Sequence, residues 1–151
     1  MKYKQVAVAA ALALSGLAAN AGGSLGVLTE DGESFQSVVS QAGITFDTFS
    51  FSLTTLSDVW GGAFKSPRVL GLGVELAQGA TVLGSDGDVT DGFSFAGLTA
   101  GMYTLKFAAF STGKGSYGGN VAATPVPEPE TYAMMLAGLV AVGFLASRRQ
   151  G

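Results

Sequence analysis

From Thr48 to Leu53 apolar and polar side chains alternate residue by residue, with Phe49, Phe51 and Leu53 set against Thr48, Ser50 and Ser52. A period of two puts the three apolar side chains on one side of an extended strand. Ile44 and Phe46 fall on the opposite parity, which predicts a bulge or a change of face near Asp47. Related patterns recur at 69–76, where Leu70, Leu72, Val74 and Leu76 would share a face, at 81–83, 93–95, 102–110 and 117–123. Turn signals punctuate them: Gly61-Gly62, Gly84-Ser85-Asp86-Gly87, Asp91-Gly92, Ala100-Gly101, Gly113-Lys114-Gly115 and Gly118-Gly119. Short strands separated by about ten residues predict a mainly β fold, a small antiparallel sandwich or barrel. A helix is expected in this body only around 34–41.

The two ends have a different character. Lys2 and Lys4 precede a run of apolar residues that closes on Ala19-Asn20-Ala21, a small-x-small cleavage site. This is the layout of a secretory signal peptide over residues 1–21, with cleavage expected after Ala21 by a signal peptidase at the secretion translocon. At the other end, Pro125, Pro127 and Pro129 interrupt any regular helix. The stretch 131–147 then carries no charged residue and ends on Arg148-Arg149. A transmembrane helix is expected there, with Tyr132 at the interface. Basic residues at both ends keep those ends cytoplasmic by the positive-inside rule, so the body lies outside the inner membrane. The expected domains are a signal peptide (1–21), a β-rich extracytoplasmic body (22–124) and a C-terminal segment (125–151).

Composition removes whole chemistries. The chain holds no histidine and no cysteine. That excludes an imidazole base or metal ligand, disulfides, and thiolate redox or metal sites. Residues 22–126 carry nine carboxylates against four cations. A body this acidic is not expected to bind nucleic acid or anionic lipid.

Val126-Pro127-Glu128-Pro129-Glu130, an apolar helix and Arg148-Arg149 together resemble the PEP-CTERM sorting signal of Gram-negative bacteria. The resemblance implies that Pro127, Glu128 and Pro129 are recognised by a membrane peptidase-transpeptidase, an exosortase. It also implies a setting of exopolysaccharide production. A rigid, extended Pro-Glu-Pro just outside the membrane presents its backbone to such a peptidase, while the helix holds it there and the arginines stop transfer. In the body, residues 45–53 resemble the F-x-D-x-F segment of one PEP-CTERM subfamily, with Asp47 and Phe49 matching and Thr45 standing where the first phenylalanine falls. Residues 93–105 and 116–119 resemble that subfamily as well. It brings no established biochemical activity.

Four motifs bear on chemistry. Gly22-Gly23-Ser24-Leu25-Gly26 has the spacing of a nucleophile elbow, which needs a strand, a helix and a histidine; it reads as a chance match. Gly113-Lys114-Gly115-Ser116 lacks the glycine and hydroxyl positions of a phosphate loop and reads as a hairpin turn. Asp86, Asp88 and Asp91 are candidate calcium ligands, since closely spaced carboxylates with glycines can wrap a hard cation. The same residues read first as a strand-connecting loop, because Thr90 breaks the EF-hand pattern and Asp-Gly pairs supply turn geometry. Trp60, Tyr103 and Tyr117 could stack on sugar rings, or pack as core.

The expected function is that of a non-enzymatic protein. It is transiently anchored in the inner membrane, then sorted to the cell surface or matrix as a structural or adhesive component beside exopolysaccharide. No cofactor is expected, calcium aside. The alternatives are a carbohydrate- or calcium-binding module and, from another class, a small carboxylate-based hydrolase.

Overall fold

The alternating segments become strands because each can bury one face only by stacking on a second sheet. The computed structural model describes residues 21–127 and 129–148. Nine strands are described: β1 (Ala21–Val27), β2 (Glu33–Val39), β3 (Gly43–Leu53), β4 (Ser57–Lys65), β5 (Val69–Gln78), β6 (Thr81–Asp86), β7 (Phe93–Leu98), β8 (Gly101–Ser111) and β9 (Gly115–Pro125). A C-terminal helix, α1 (Pro129–Arg148), follows. One sheet runs β1-β3-β8-β5-β6 and the other β2-β9-β4-β7. Pairing is antiparallel except between β1 and β3. Only β5 and β6 are neighbours both in sequence and in a sheet; every other connection crosses from one sheet to the other.

The mainly β expectation holds, and its sandwich form is the one adopted. Phe35 from β2, Phe49 from β3, Phe93 from β7, Phe107 from β8 and Tyr117 from β9 meet between the sheets. Phe107 is the hub, 4.6 Å from Phe35, 5.9 Å from Phe49 and from Tyr117, and 6.3 Å from Phe93, ring centre to ring centre. Phe51 stacks on Tyr103 at 5.5 Å. The Tyr103 hydroxyl donates to the Thr99 carbonyl at 2.8 Å, which ties the β7–β8 turn to the core.

Several local expectations are corrected. Residues 33–39 form a strand, not a helix, with Phe35, Ser37 and Val39 buried in alternation. No bulge occurs at Asp47: β3 pairs with β8 without interruption from Gly43 to Leu53. Phe46 instead points to the outer side, where it packs with Ala108 under the Lys106 ammonium, 5.2 Å from the ring centre. Leu70 is exposed while Val69, Leu72, Val74 and Leu76 are buried, because β5 shifts register against β8 between Val69 and Gly71.

Gly61-Gly62 and Gly118-Gly119 are not turns. They lie in mid-strand where β4 and β9 pair. A Cβ on Gly119 would sit 2.0 Å from the Gly62 carbonyl oxygen, so glycine here serves close backbone approach. Gly113-Lys114-Gly115 does turn the chain, but between sheets, from β8 to β9, rather than within a hairpin.

Candidate functional site

The sequence-matched Asp47 lies wholly buried on the inner face of β3, in line with Phe49 and Phe51. Opposite it, Ser37 on β2 and Tyr117 on β9 are register partners in the other sheet. The Ser37 hydroxyl donates to Asp47 Oδ2 at 2.5 Å, and the Tyr117 hydroxyl donates to the same oxygen. The second oxygen, Oδ1, is buried without a partner. Burial, then the hydrogen bond to Asp47 and its charge, push the Tyr117 hydroxyl far above its ordinary value, opposed only by Ser37. A carboxylate shared by two hydroxyls between two sheets is a clamp. With no route to solvent it cannot act on a substrate, so Asp47 and Phe49 are core residues.

The Asp86–Asp91 segment also resolves into structure. Asp86 Oδ1 accepts the Asp88 amide at 3.0 Å. Asp88 caps the 3₁₀ turn Val89–Asp91, its Oδ1 accepting the Thr90 amide at 3.2 Å and the Thr90 hydroxyl at 2.6 Å. Two of the three carboxylates thus order their own loop. Among the described residues no three His, Cys, Asp or Glu side chains gather closely enough to hold a metal ion. Asp86, Asp88 and Asp91 are therefore not brought together as a calcium site.

Ser24 lies in β1 with its hydroxyl accepting the Gly26 amide at 3.2 Å, so no nucleophile elbow forms. Tyr103 and Tyr117 are buried and offer no face to a sugar. Trp60 and Phe64, in contrast, are exposed on the outer side of β4. Sequence reasoning missed Phe64. The signal lay in its spacing of four from Trp60, which keeps both on one side of a strand.

The C-terminal segment separates cleanly from the sandwich. The Val126 amide donates to the Leu56 carbonyl at 2.9 Å, tying the chain to the body one residue before Pro127. Pro127 is exposed, and Pro129 starts α1, where its missing N–H costs nothing. At 20 residues α1 is about 30 Å long, the thickness of a bilayer's hydrocarbon core. None of its residues is buried against the rest of the chain. It begins two residues before and ends one residue after the expected 131–147 span. Glu130 in its first turn and Arg148 in its last complement the helix dipole. Ala19 and the rest of residues 1–20, Glu128 and Arg149 lie outside the described residues; Ala21 is the first residue of β1.

Residues 125–150 match the PEP-CTERM protein-sorting motif. This chain carries a PEP-CTERM sorting signal. The signal implies an exported protein processed by an exosortase in the membrane, with α1 as its membrane anchor in transit. Among curated proteins, none matches the chain.

Among solved structures, the pre-peptidase C-terminal domain of a collagenase from Bacillus anthracis is similar, at 12% identity and a TM-score of 0.51. The match covers 73% of this chain and 100% of that one. At that identity the likeness is one of fold. PliG from Aeromonas hydrophila, a periplasmic inhibitor of g-type lysozyme, aligns more loosely, at 14% identity and a TM-score of 0.46 over 68% of this chain and 97% of that one.

Proposed function

We propose that this PEP-CTERM protein is a non-catalytic β-sandwich. In this reading it is exported behind its N-terminal signal, released from α1 by an exosortase, and retained at the cell surface or in the matrix as a structural or adhesive component beside exopolysaccharide. One observation carries the reading: the last strand ends at Pro125 and its closing hydrogen bond at Val126, and the Pro127-Glu128-Pro129 tripeptide of the matched segment follows directly. Cleavage within Pro-Glu-Pro would leave all nine strands and the core untouched.

The lack of catalytic function rests on side-chain placement. The chain has no histidine or cysteine. Its most buried carboxylate is enclosed by core, and the loop carboxylates Asp86 and Asp88 are occupied with backbone amides. The F-x-D-x-F resemblance is part of the same reading, with the motif's aspartate serving as the inter-sheet clamp.

Deleting the chain from its host and measuring cell aggregation and matrix-bound polysaccharide tests the role. The reading expects weaker aggregation with polysaccharide made at normal length. Unchanged aggregation contradicts it, and a change in polysaccharide chain length indicates a hydrolase instead.

A further inference from the structure

The outer face of the β2-β9-β4-β7 sheet carries two aromatic side chains that the core does not use. Trp60 is 45% exposed and Phe64 71%. Four residues apart on one strand, they stand about 13 Å from each other. Each lies beside a small residue on β9. Phe64 is opposite Gly118, where its ring tip would come within 3.3 Å of an added Cβ. Trp60 is opposite Ala122 on one side and Ser94 on the other. Neither ring has a bulky register partner on a paired strand, and both remain exposed to solvent. The indole is also fixed in orientation, because its Nε1 donates to the Thr124 hydroxyl at 3.1 Å. A ring held this way loses little freedom when something stacks on it.

Between and beside the rings stand neutral hydrogen-bonding groups. Asn120 and Gln36, on β9 and β2, are exposed on the same face. The outward positions of the four strands hold no lysine or arginine. Their carboxylate, Asp58, accepts the Gly97 amide at 2.7 Å. The partner that fits is uncharged, has flat C–H faces for the rings, and carries closely spaced hydroxyls for the amides. The surplus of carboxylates over cations in the body repels a polyanion and strengthens the choice of a neutral one.

We propose that this face is a docking platform for a neutral polysaccharide, with Trp60 and Phe64 stacking on sugar rings and Asn120 and Gln36 bonding hydroxyls between them. The proposal deepens the matrix reading above by naming the surface and the ligand class, and rests on that reading for its setting.

Trp60 is the chain's single tryptophan, so its emission reports directly on the platform. The full chain, in a detergent without a sugar headgroup, is titrated with a soluble β-glucan, dextran and a galactomannan, and with alginate as the anionic control. Mobility in native gels containing each glycan is measured alongside. The expected result is a saturable shift in Trp60 emission and retarded mobility with a neutral glycan and not with alginate.

Trp60→Ala and Phe64→Ala, checked for wild-type melting, should each weaken binding about tenfold or more. Trp60→Phe should weaken it less, and Phe110→Ala, on the opposite sheet, should bind as wild type. Unchanged emission and mobility with all three neutral glycans overturns the proposal, as does binding that survives in the Trp60→Ala/Phe64→Ala double variant. Self-association that the same variants abolish would assign the face to a second copy and overturn it too. Because binding is read on purified protein, its failure leaves the sorting reading standing, and failed sorting leaves the platform standing.

Discussion

Tyr117 and Asp47 face each other from opposite sheets, and the tyrosine hydroxyl donates across the gap to Asp47 Oδ2. With Ser37 on the same oxygen, this is the described polar contact that bridges the two layers at the aromatic core. Removing the acceptor strands two buried hydroxyls. Asp47→Ala should lower unfolding stability by about 2–4 kcal/mol, and Tyr117→Phe by about 1–2 kcal/mol. In urea unfolding of the double variant, the two losses should fall short of adding, since both remove one interaction. Additive losses would mean that the two residues do not act together.

The same pair gives a pH dependence with a definite sign. In the folded chain the Tyr117 hydroxyl is held protonated well above the ordinary tyrosine value of 10.0. Below pH 10 it is neutral in both states and its contribution is fully present. Above pH 10 the unfolded chain loses that proton while the folded chain keeps it, so folding stability falls as pH rises. Unfolding midpoints measured from pH 8 to 11 should decline more steeply in the wild type than in Tyr117→Phe. Parallel slopes would contradict this account.

Gly119 makes a packing prediction. An added Cβ would meet the Gly62 carbonyl oxygen at 2.0 Å and the Ala63 Cα at 2.8 Å. Both are backbone atoms, so neither can swing aside. Gly119→Ala should cost about 1–3 kcal/mol in thermal or urea unfolding. Gly23→Ala, where an added Cβ meets nothing within 4 Å, serves as the tolerated control.

The legible parts of the fold were those whose pattern one strand states by itself. Thr48 to Leu53 showed its faces because Phe49, Phe51 and Leu53 all point into one core. The C-terminal segment was legible for a similar reason, since a charge-free run from 131 to 147, set between Pro-Glu-Pro and Arg148, has few other uses. What stayed hidden depended on partners elsewhere in the chain. Gly61-Gly62 and Gly118-Gly119 looked like turns because glycine's two uses, tight turning and close approach, leave the same residue behind. β2 was hidden because the adjacent Val38 and Val39 blur its period of two, although only Val39 is buried. Leu70 was misplaced by a register shift that only the pairing of β5 with β8 reveals. Asp47's role needed Ser37 and Tyr117, 10 and 70 residues away.

At the N-terminus, β1 starts at Ala21 and runs parallel to β3, pairing Gly22 with Thr48. Cleavage after Ala21 would leave that pairing intact. Mass spectrometry of exported protein should find Gly22 as the first residue. A start beyond Gly26 would remove most of β1 and contradict the expected cleavage site.

The central claim is that the body is an exported sandwich whose destination is set by the C-terminal sorting segment, residues 125–150. Fractionation of cells with and without the exosortase, expressing either the wild-type chain or one with Pro127, Glu128 and Pro129 replaced by alanine, tests it most directly. The account predicts wild-type protein shortened by the α1 segment and found at the surface or in the medium only when the peptidase is present. It predicts the alanine variant full-length in the membrane in both strains. Shortened, released protein from the alanine variant, or from cells lacking the peptidase, would contradict it.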